Sequence, residues 1–212
     1  MIDTVHCYYE QIGNGHEHES VIQIWKRTWE SFGWKTRVLG KAESMKHPLL
    51  FPFMQHIRKL PTVNAPGYEA ACYRRHLAME VVGGGLLTDY DVINHGFRPQ
   101  DMPPIQDMIE TLEPSGVPCA VFGTPTAWKE WIYHLGHYPH RPDQRHVSDM
   151  TIFNEMRPFG HGQCLNLDYK EWESAPLIHF HQEGVRRLRP GVARYRFIED
   201  FLADVPDQSI AA

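Results

Sequence analysis

Apolar and polar positions along the chain follow two rhythms, and the switches between them predict its elements. Residues 4–12 are rich in β-branched and aromatic side chains and run into Gly13, Asn14 and Gly15, the pattern of a strand ending in a loop. Over residues 19–32, Val21, Ile22, Trp25, Trp29 and Phe32 recur at three- and four-residue steps with Lys26, Arg27 and Glu30 off that face, which predicts a helix stopped by Gly33. Residues 34–39 give a second strand. Strand, helix, strand is the order of a parallel unit, so the expected fold class is α/β. Residues 48–60 predict a helix with Pro61 beyond its end. Residues 68–82 predict another, carrying Ala71, Leu77, Ala78, Val81 and Val82 and ended by Gly83, Gly84 and Gly85, because glycine takes positive φ cheaply. Leu86, Leu87 and Thr88 then read as a buried strand. Asp89, Tyr90 and Asp91 stand at its C-terminal end, where open α/β sheets hold their ligands.

The second half is less regular. A proline-rich stretch runs to Pro104, followed by a predicted helix over 105–112, a strand over 120–122 and a helix over 125–135. Residues 134–146 form a polar loop, 150–155 fit either element, 177–180 predict a short strand and 192–202 a helix. No repeat or linker interrupts the chain, so residues 1–212 are expected to form one compact domain.

Composition narrows the function. Hydrophobic residues at 42% and charged residues at 22% exclude disorder and coiled coil, and a net charge of −5 lacks the basic footprint of a nucleic-acid binder. With no signal-like N-terminus and no apolar stretch of about 18 residues, a soluble cytoplasmic protein without a transmembrane segment is expected. Cys7, Cys72, Cys119 and Cys164 are scattered without a CxxC pair, the pattern of reduced thiols.

In an extended segment alternate side chains share a side, so Asp89 and Asp91 converge while Tyr90 points away. Two such charges about 6 to 7 Å apart repel by about 2 to 3 kcal/mol at an effective dielectric of about 20. A divalent ion resolves that conflict, and carboxylates suit Mg²⁺ or Mn²⁺ bridging to substrate phosphates. The preceding glycines let backbone approach a bulky anion. A bare Asp-x-Asp is most often a solvated turn, so its surroundings decide. His134, His137, His140 and His146 invite a zinc reading, but proline and glycine break any helix that would align them and no further ligand completes a tetrahedral set.

The stretch ACYRRHLAMEVVGGGLLTDYDVIN resembles the core of the DXD-containing sugar-transfer families of the GT-A fold, including the initiating mannosyltransferases and the clostridial toxin glucosyltransferases. Their pattern is a helix with Asp-x-x-Arg, a Gly-Gly turn, a hydrophobic strand and Asp-x-Asp. The resemblance covers about two dozen residues and places Arg75 where the family arginine contacts the donor sugar. Gly83 and Gly84 take the Gly-Gly positions, Gly85 is one glycine more, and Gly84 and Gly85 are counted with the donor-binding backbone. Cys72 stands where the family has aspartate. The strand VHCYYEQIG resembles the family's opening strand, with Tyr9 as the aromatic that stacks on the nucleotide base. APLIHFHQEGVRRLRP resembles the segment that completes the metal site in retaining enzymes. There His181, Gly184 and Arg187 fit His-x-x-Gly-x-x-Lys with arginine for lysine, whereas His179 before Phe180 fits a strand-end His-Phe; one of the two histidines is the ligand. Arg186, Arg187 and Arg189 are placed to neutralise a departing diphosphate. Asp149 resembles a carboxylate on the acceptor side, catalytic or acceptor-orienting, with a helix N-cap by Ser148 or Asp149 as the competing role.

The resemblance implies a GT-A-like, mainly parallel mixed sheet flanked by helices and a metal-dependent, retaining hexosyltransferase. Its partners would be a nucleotide-diphosphate sugar donor, a glycan, lipid or protein acceptor, and Mn²⁺ or Mg²⁺ held by Asp89, Asp91 and His179 or His181. Since 212 residues are few for this fold, the acceptor-binding part would be abbreviated or supplied by a partner chain, and a homo-oligomer is among the expected partners. Two rival readings are a haloacid-dehalogenase-type phosphatase, which also ends a strand in Asp-x-Asp, and a non-catalytic sugar-nucleotide binder, which Cys72 favours.

Overall fold

A computed structural model describes residues 2–12 and 16–204; the glycine-containing loop predicted after the first strand, residues 13–15, lies outside them. The opening unit is β1 (Thr4–Tyr8), α1 (His16–Ser31) and β2 (Lys35–Leu39), with β1 and β2 parallel as the sequence predicts. After the short α2 (Lys41–Ser44), α3 (Leu50–Ile57) and α4 (Pro66–Val81), β3 (Gly85–Thr88) joins the free side of β1 in parallel, with Cys7 opposite Thr88. β4 (Val92–Asn94) leaves this sheet, β5 (Glu110–Thr111) and β6 (Ala120–Gly123) return to it, and α5 (Pro125–Gly136) and α6 (Asp149–Met156) follow. β7 (Cys164–Asn166), β8 (Leu177–His179), α7 (Gln182–Leu188) and α8 (Arg194–Asp204) end the described chain.

The main sheet has the order β2-β1-β3-β6-β5, and a second sheet has the order β4-β8-β7. The expected class, α/β, holds, but the sheet is not mainly parallel. β6 runs antiparallel to β3 and β5 antiparallel to β6: after the second sheet the chain re-enters the first as β5 in the direction of β3, and the connection from β5 turns it back as β6 between the two. The helix predicted over 105–112 is also replaced. Ile109 and Leu112 have helical spacing, yet they fall in cores on opposite faces of the sheet, as the alternation of a strand requires. Between them Glu110 and Thr111 pair with Phe122 and Val121.

Alternation also builds both cores. Val5, Cys7, Leu86, Ala120 and Phe122 face α1 and the second sheet, while Tyr8, Leu87 and Val121 face α3, α4, α5 and α6. The tryptophans of the first half each bury a ring and satisfy its N–H. Trp25 donates to Thr88 Oγ1 at 3.0 Å, Trp29 to the Val92 carbonyl at 2.9 Å and Trp34 to the Phe97 carbonyl at 2.8 Å. These bonds straddle Asp89 and Asp91 and fix that turn from below.

Gly84 has φ +79°, and a Cβ there would lie 2.9 Å from the Pro125 nitrogen and 3.0 Å from the Thr124 carbonyl carbon, both backbone at the start of α5. Gly84→Ala therefore meets left-handed strain and overlap together, about 2 to 4 kcal/mol, and thermal unfolding by circular dichroism is expected to shift down on the order of 10 °C. Gly83, with nothing within 4 Å of its Cβ position, gives the comparison. Gly83→Ala costs only the strain, about 1 kcal/mol.

Candidate functional site

Because β1 and β3 run side by side in one direction, the residues after their C-terminal ends, Tyr9 and Asp89, reach the same edge of the sheet. A cleft of about 880 Å³ opens there, walled by these ends, the start of α1, the inner face of α4, the start of α6 and the end of β8. That volume is in the range of small-molecule and cofactor sites.

The two aspartates converge, but not along an extended strand as the sequence suggests. The Val92 N–H donates to the Asp89 carbonyl at 3.0 Å, closing a turn, and the Asp89 N–H donates to the Cys119 carbonyl at 2.7 Å. The turn brings both carboxylates to one side and sends Tyr90 to His18, whose Nδ1 is 2.7 Å from the phenol oxygen. Antiparallel pairing of β4 with β8 sets His179 opposite Val92, one residue beyond the turn. His179 Nε2 consequently lies 3.5 Å from Asp91 Oδ1 and 3.8 Å from Asp89 Oδ2. Ligand atoms of the three residues lie within 4.8 Å of one another. An ion with ligands at about 2.1 Å separates adjacent donors by about 3 Å and opposite donors by about 4 Å, so this set fits one small dication. Among the described residues no other group of three or more histidine, cysteine or acidic side chains is so arranged, and the histidines of the 134–146 loop do not gather.

Of the two histidine alternatives, the structure brings His179 to the aspartates. His181 caps α7, its Nδ1 accepting the Gly184 N–H at 3.2 Å. Gly184 is required by that ring, since a Cβ would sit 2.7 Å from His181 Nε2.

Charge inside the cleft is compensated by buried arginines. Burial raises the Asp89 carboxyl; Arg75 works against this and Asp91 adds to it, leaving Asp89 at about 6. Burial also pushes Asp91 up, but Arg194 and then His179 outweigh it and hold that carboxyl at about 2. Arg194 Nη1 donates to Asp91 Oδ2 at 2.5 Å, and its guanidinium lies 5.4 Å from the Tyr90 ring centroid. Arg75 spans two acids, donating to Asp89 Oδ1 at 2.6 Å and through Nη2 and Nε to Asp149 Oδ2 at 2.7 and 3.1 Å.

Ser148 is the N-cap of α6, its hydroxyl accepting the Thr151 N–H, so the Asp149 carboxylate is free for the cleft. Asp149 Oδ2 also meets His76 Nε2 at 3.0 Å, and Oδ1 accepts the Met150 N–H at 2.8 Å. The Trp131 indole donates to His76 Nδ1 at 3.1 Å; an indole has no acceptor to offer, so the imidazole proton is placed on Nε2 and donates to Asp149. With both oxygens engaged, Asp149 holds Arg75 in place. Burial would raise its carboxyl, but Arg75 and His76 keep it at about 2.

Other residues singled out from sequence are distributed more unevenly. Tyr9 lines the cleft, its ring 5.9 Å from Tyr90 and edge-on to it, and its hydroxyl is buried without a partner. Gly84 precedes β3 and Gly85 begins it, at the end remote from Asp89, and neither lines the cleft. Arg187 turns to Asp168 and is more than half exposed, while Arg186 borders the cleft. Arg194, which sequence reasoning missed, is the buried cation: it and Arg196 belong to one helix two positions apart, and only the fold buries one and exposes the other.

Buried polar atoms without a hydrogen-bond partner concentrate here. Tyr9 Oη, Glu69 Oε1, His179 Nδ1, His181 Nε2 and Arg194 Nε all belong to residues lining this cleft. Native folds leave few such atoms unpaired, which sets this cleft apart from the rest of the described residues.

A family model described as a domain of unknown function (DUF8765) matches residues 3–103, which run from β1 through the aspartate turn and past β4. No curated protein and no solved structure matches the chain. No helix among the described residues is long and apolar enough to cross a membrane.

Proposed function

We propose that the cleft binds a nucleotide-diphosphate sugar through Mn²⁺ or Mg²⁺ held by Asp89, Asp91 and His179, and that the protein transfers the sugar to an acceptor. The observation that carries this reading is the convergence of those three side chains, from the turn after β3 and the end of β8, on the floor of a cleft at the C-terminal edge of two parallel strands. A bound dication there would neutralise the charge that builds on the departing diphosphate. Arg194, buried beside Asp91, and Arg75, anchored by Asp149, add fixed donors on either side of the same spot, and Tyr9 with Tyr90 offers aromatic faces to a base. The mixed sheet with helices on both faces and an acidic turn after its third strand is compatible with the GT-A arrangement that the sequence resembles. Retention of configuration follows from that resemblance and is part of the proposal.

A thermal-shift panel of nucleotide sugars tests it. At a ligand concentration of about one hundred times Kd, binding stabilises the fold by about 2.7 kcal/mol, a rise of about 5 to 10 °C for a chain of this size. The rise is expected for one donor class only, only with Mn²⁺ or Mg²⁺, and is reversed by EDTA. Release of free sugar from that donor then separates a transferase from an inert binder. A panel with no metal-dependent rise contradicts the proposal.

A further inference from the structure

We infer that Glu69 sets the specificity of the cleft by accepting a hydrogen bond from a ring hydroxyl of the bound sugar, an inference that rests on the nucleotide-sugar reading above. Glu69 stands in the first turn of α4, is 6% exposed, and lines the cleft beside Asn64, Tyr68 and Cys72. Its Oε2 accepts from Thr62 Oγ1 at 2.8 Å and from Asn64 Nδ2 at 2.7 Å. Those two bonds shape the loop before α4 and account for the residue's part in folding. Oε1 is buried with no partner at all. Leaving such an oxygen unpaired costs about 1 to 3 kcal/mol, so its place in a cleft wall points to a donor that arrives with the ligand.

Position indicates which part of the ligand brings that donor. Glu69 precedes Arg75 by six residues on one helix, about 9 Å along its axis, and Arg75 touches Asp89. A ligand with its diphosphate at the aspartates and its ring laid along α4 therefore carries ring hydroxyls to Glu69. The stretch of α4 between them holds Cys72, whose thiol burial pushes up to about 12 and so keeps neutral. A carboxylate beyond a neutral wall suits a polyol, because a hydroxyl bound to a charged acceptor forms the stronger, charge-assisted bond.

Glu69→Gln isolates the unpaired oxygen. Thr62 and Asn64 both donate, so they hold the amide oxygen at the Oε2 position and the NH₂ takes the place of Oε1, turning an acceptor into a donor without changing size or loop. Calorimetry with Mn²⁺ would compare UDP and GDP with UDP-glucose and GDP-mannose. The variant is expected to bind the diphosphates like the wild type and to bind the sugar-bearing donor about ten- to a hundred-fold more weakly. Equal weakening of both, or unchanged donor binding, overturns the role of Glu69 while leaving the cleft a nucleotide site. A wild-type protein that binds none of the four, nor any member of the donor panel with Mn²⁺, overturns both readings. Crystals of the wild type with Mn²⁺ and donor give a check independent of the variant's folding: a ring hydroxyl within hydrogen-bond distance of Oε1 is expected, and a ring placed elsewhere overturns the inference.

Discussion

Asp91→Asn is expected to abolish Mn²⁺-dependent donor binding in calorimetry and also to lower the melting temperature. The first effect follows from removing a charged ligand from a three-residue set in which Asp91 is the carboxylate kept ionised, at about 2. The second follows from a partner that the sequence hid. Read from sequence, Asp91 is a metal-ligating carboxylate at a strand end, with no structural partner in view. In the structure it is the counter-ion of Arg194, whose side chain is 5% exposed. Removing one member of a buried pair leaves the other uncompensated and costs about 3 to 5 kcal/mol, though the asparagine carbonyl still accepts one bond and places the loss near the lower figure. About 3 kcal/mol corresponds to a fall of about 6 to 12 °C. Unchanged metal-dependent affinity would refute the assignment of Asp91 as a ligand, and an unchanged melting temperature would refute the Arg194 pairing.

Asp149→Ala is expected to have a comparable effect on stability, with a distinct dependence on pH. The substitution leaves Arg75 and His76 without the carboxylate they share, again about 3 to 5 kcal/mol. Because the Asp149 carboxyl is held at about 2 against an ordinary value of 3.8, its contribution is fully present above pH 4 and lost as the pH falls towards 2. The wild type should therefore shed stability on the order of 2 kcal/mol between those limits that the variant does not shed. Urea unfolding of both proteins at a series of pH values reads the difference. Parallel profiles would show that Asp149 carries no such pairing. Donor affinity should fall with the same substitution, because Arg75 loses the acid that aims it.

Local patterning predicts the opening strand, helix and strand, the long helix before the glycines and the strand that ends at Asp89, because each buries a face whose period can be counted. It fails where a segment's state depends on a distant partner. Ile105, Met108, Ile109 and Leu112 satisfy helical spacing, yet pairing with β6 draws Glu110 and Thr111 into an edge strand. The antiparallel pairing of β6 with β3 makes the sheet mixed, and that partner strand lies outside residues 105–123.

The candidate site divides in the same way. Asp89 and Asp91 are conspicuous in sequence as a charged pair closing an apolar strand. The choice between His179 and His181 needs the register of β4 against β8, which sets one ring opposite the turn and leaves the other capping a helix. Arg194 and His76 carry no local mark, since their partners lie 103 and 73 residues away. Gly84 shows the opposite error: a glycine beside a motif suggests a backbone cradle, whereas this one is needed where the chain passes the start of α5.

The proposed site stands on a single dication shared by Asp89, Asp91 and His179. The most direct measurement is an anomalous-difference map from crystals grown with Mn²⁺ and a nucleoside diphosphate. The predicted result is one peak between the carboxylates and His179 Nε2, with Arg194 still paired to Asp91. A map with no peak there, from protein that calorimetry shows to be saturated, would contradict it.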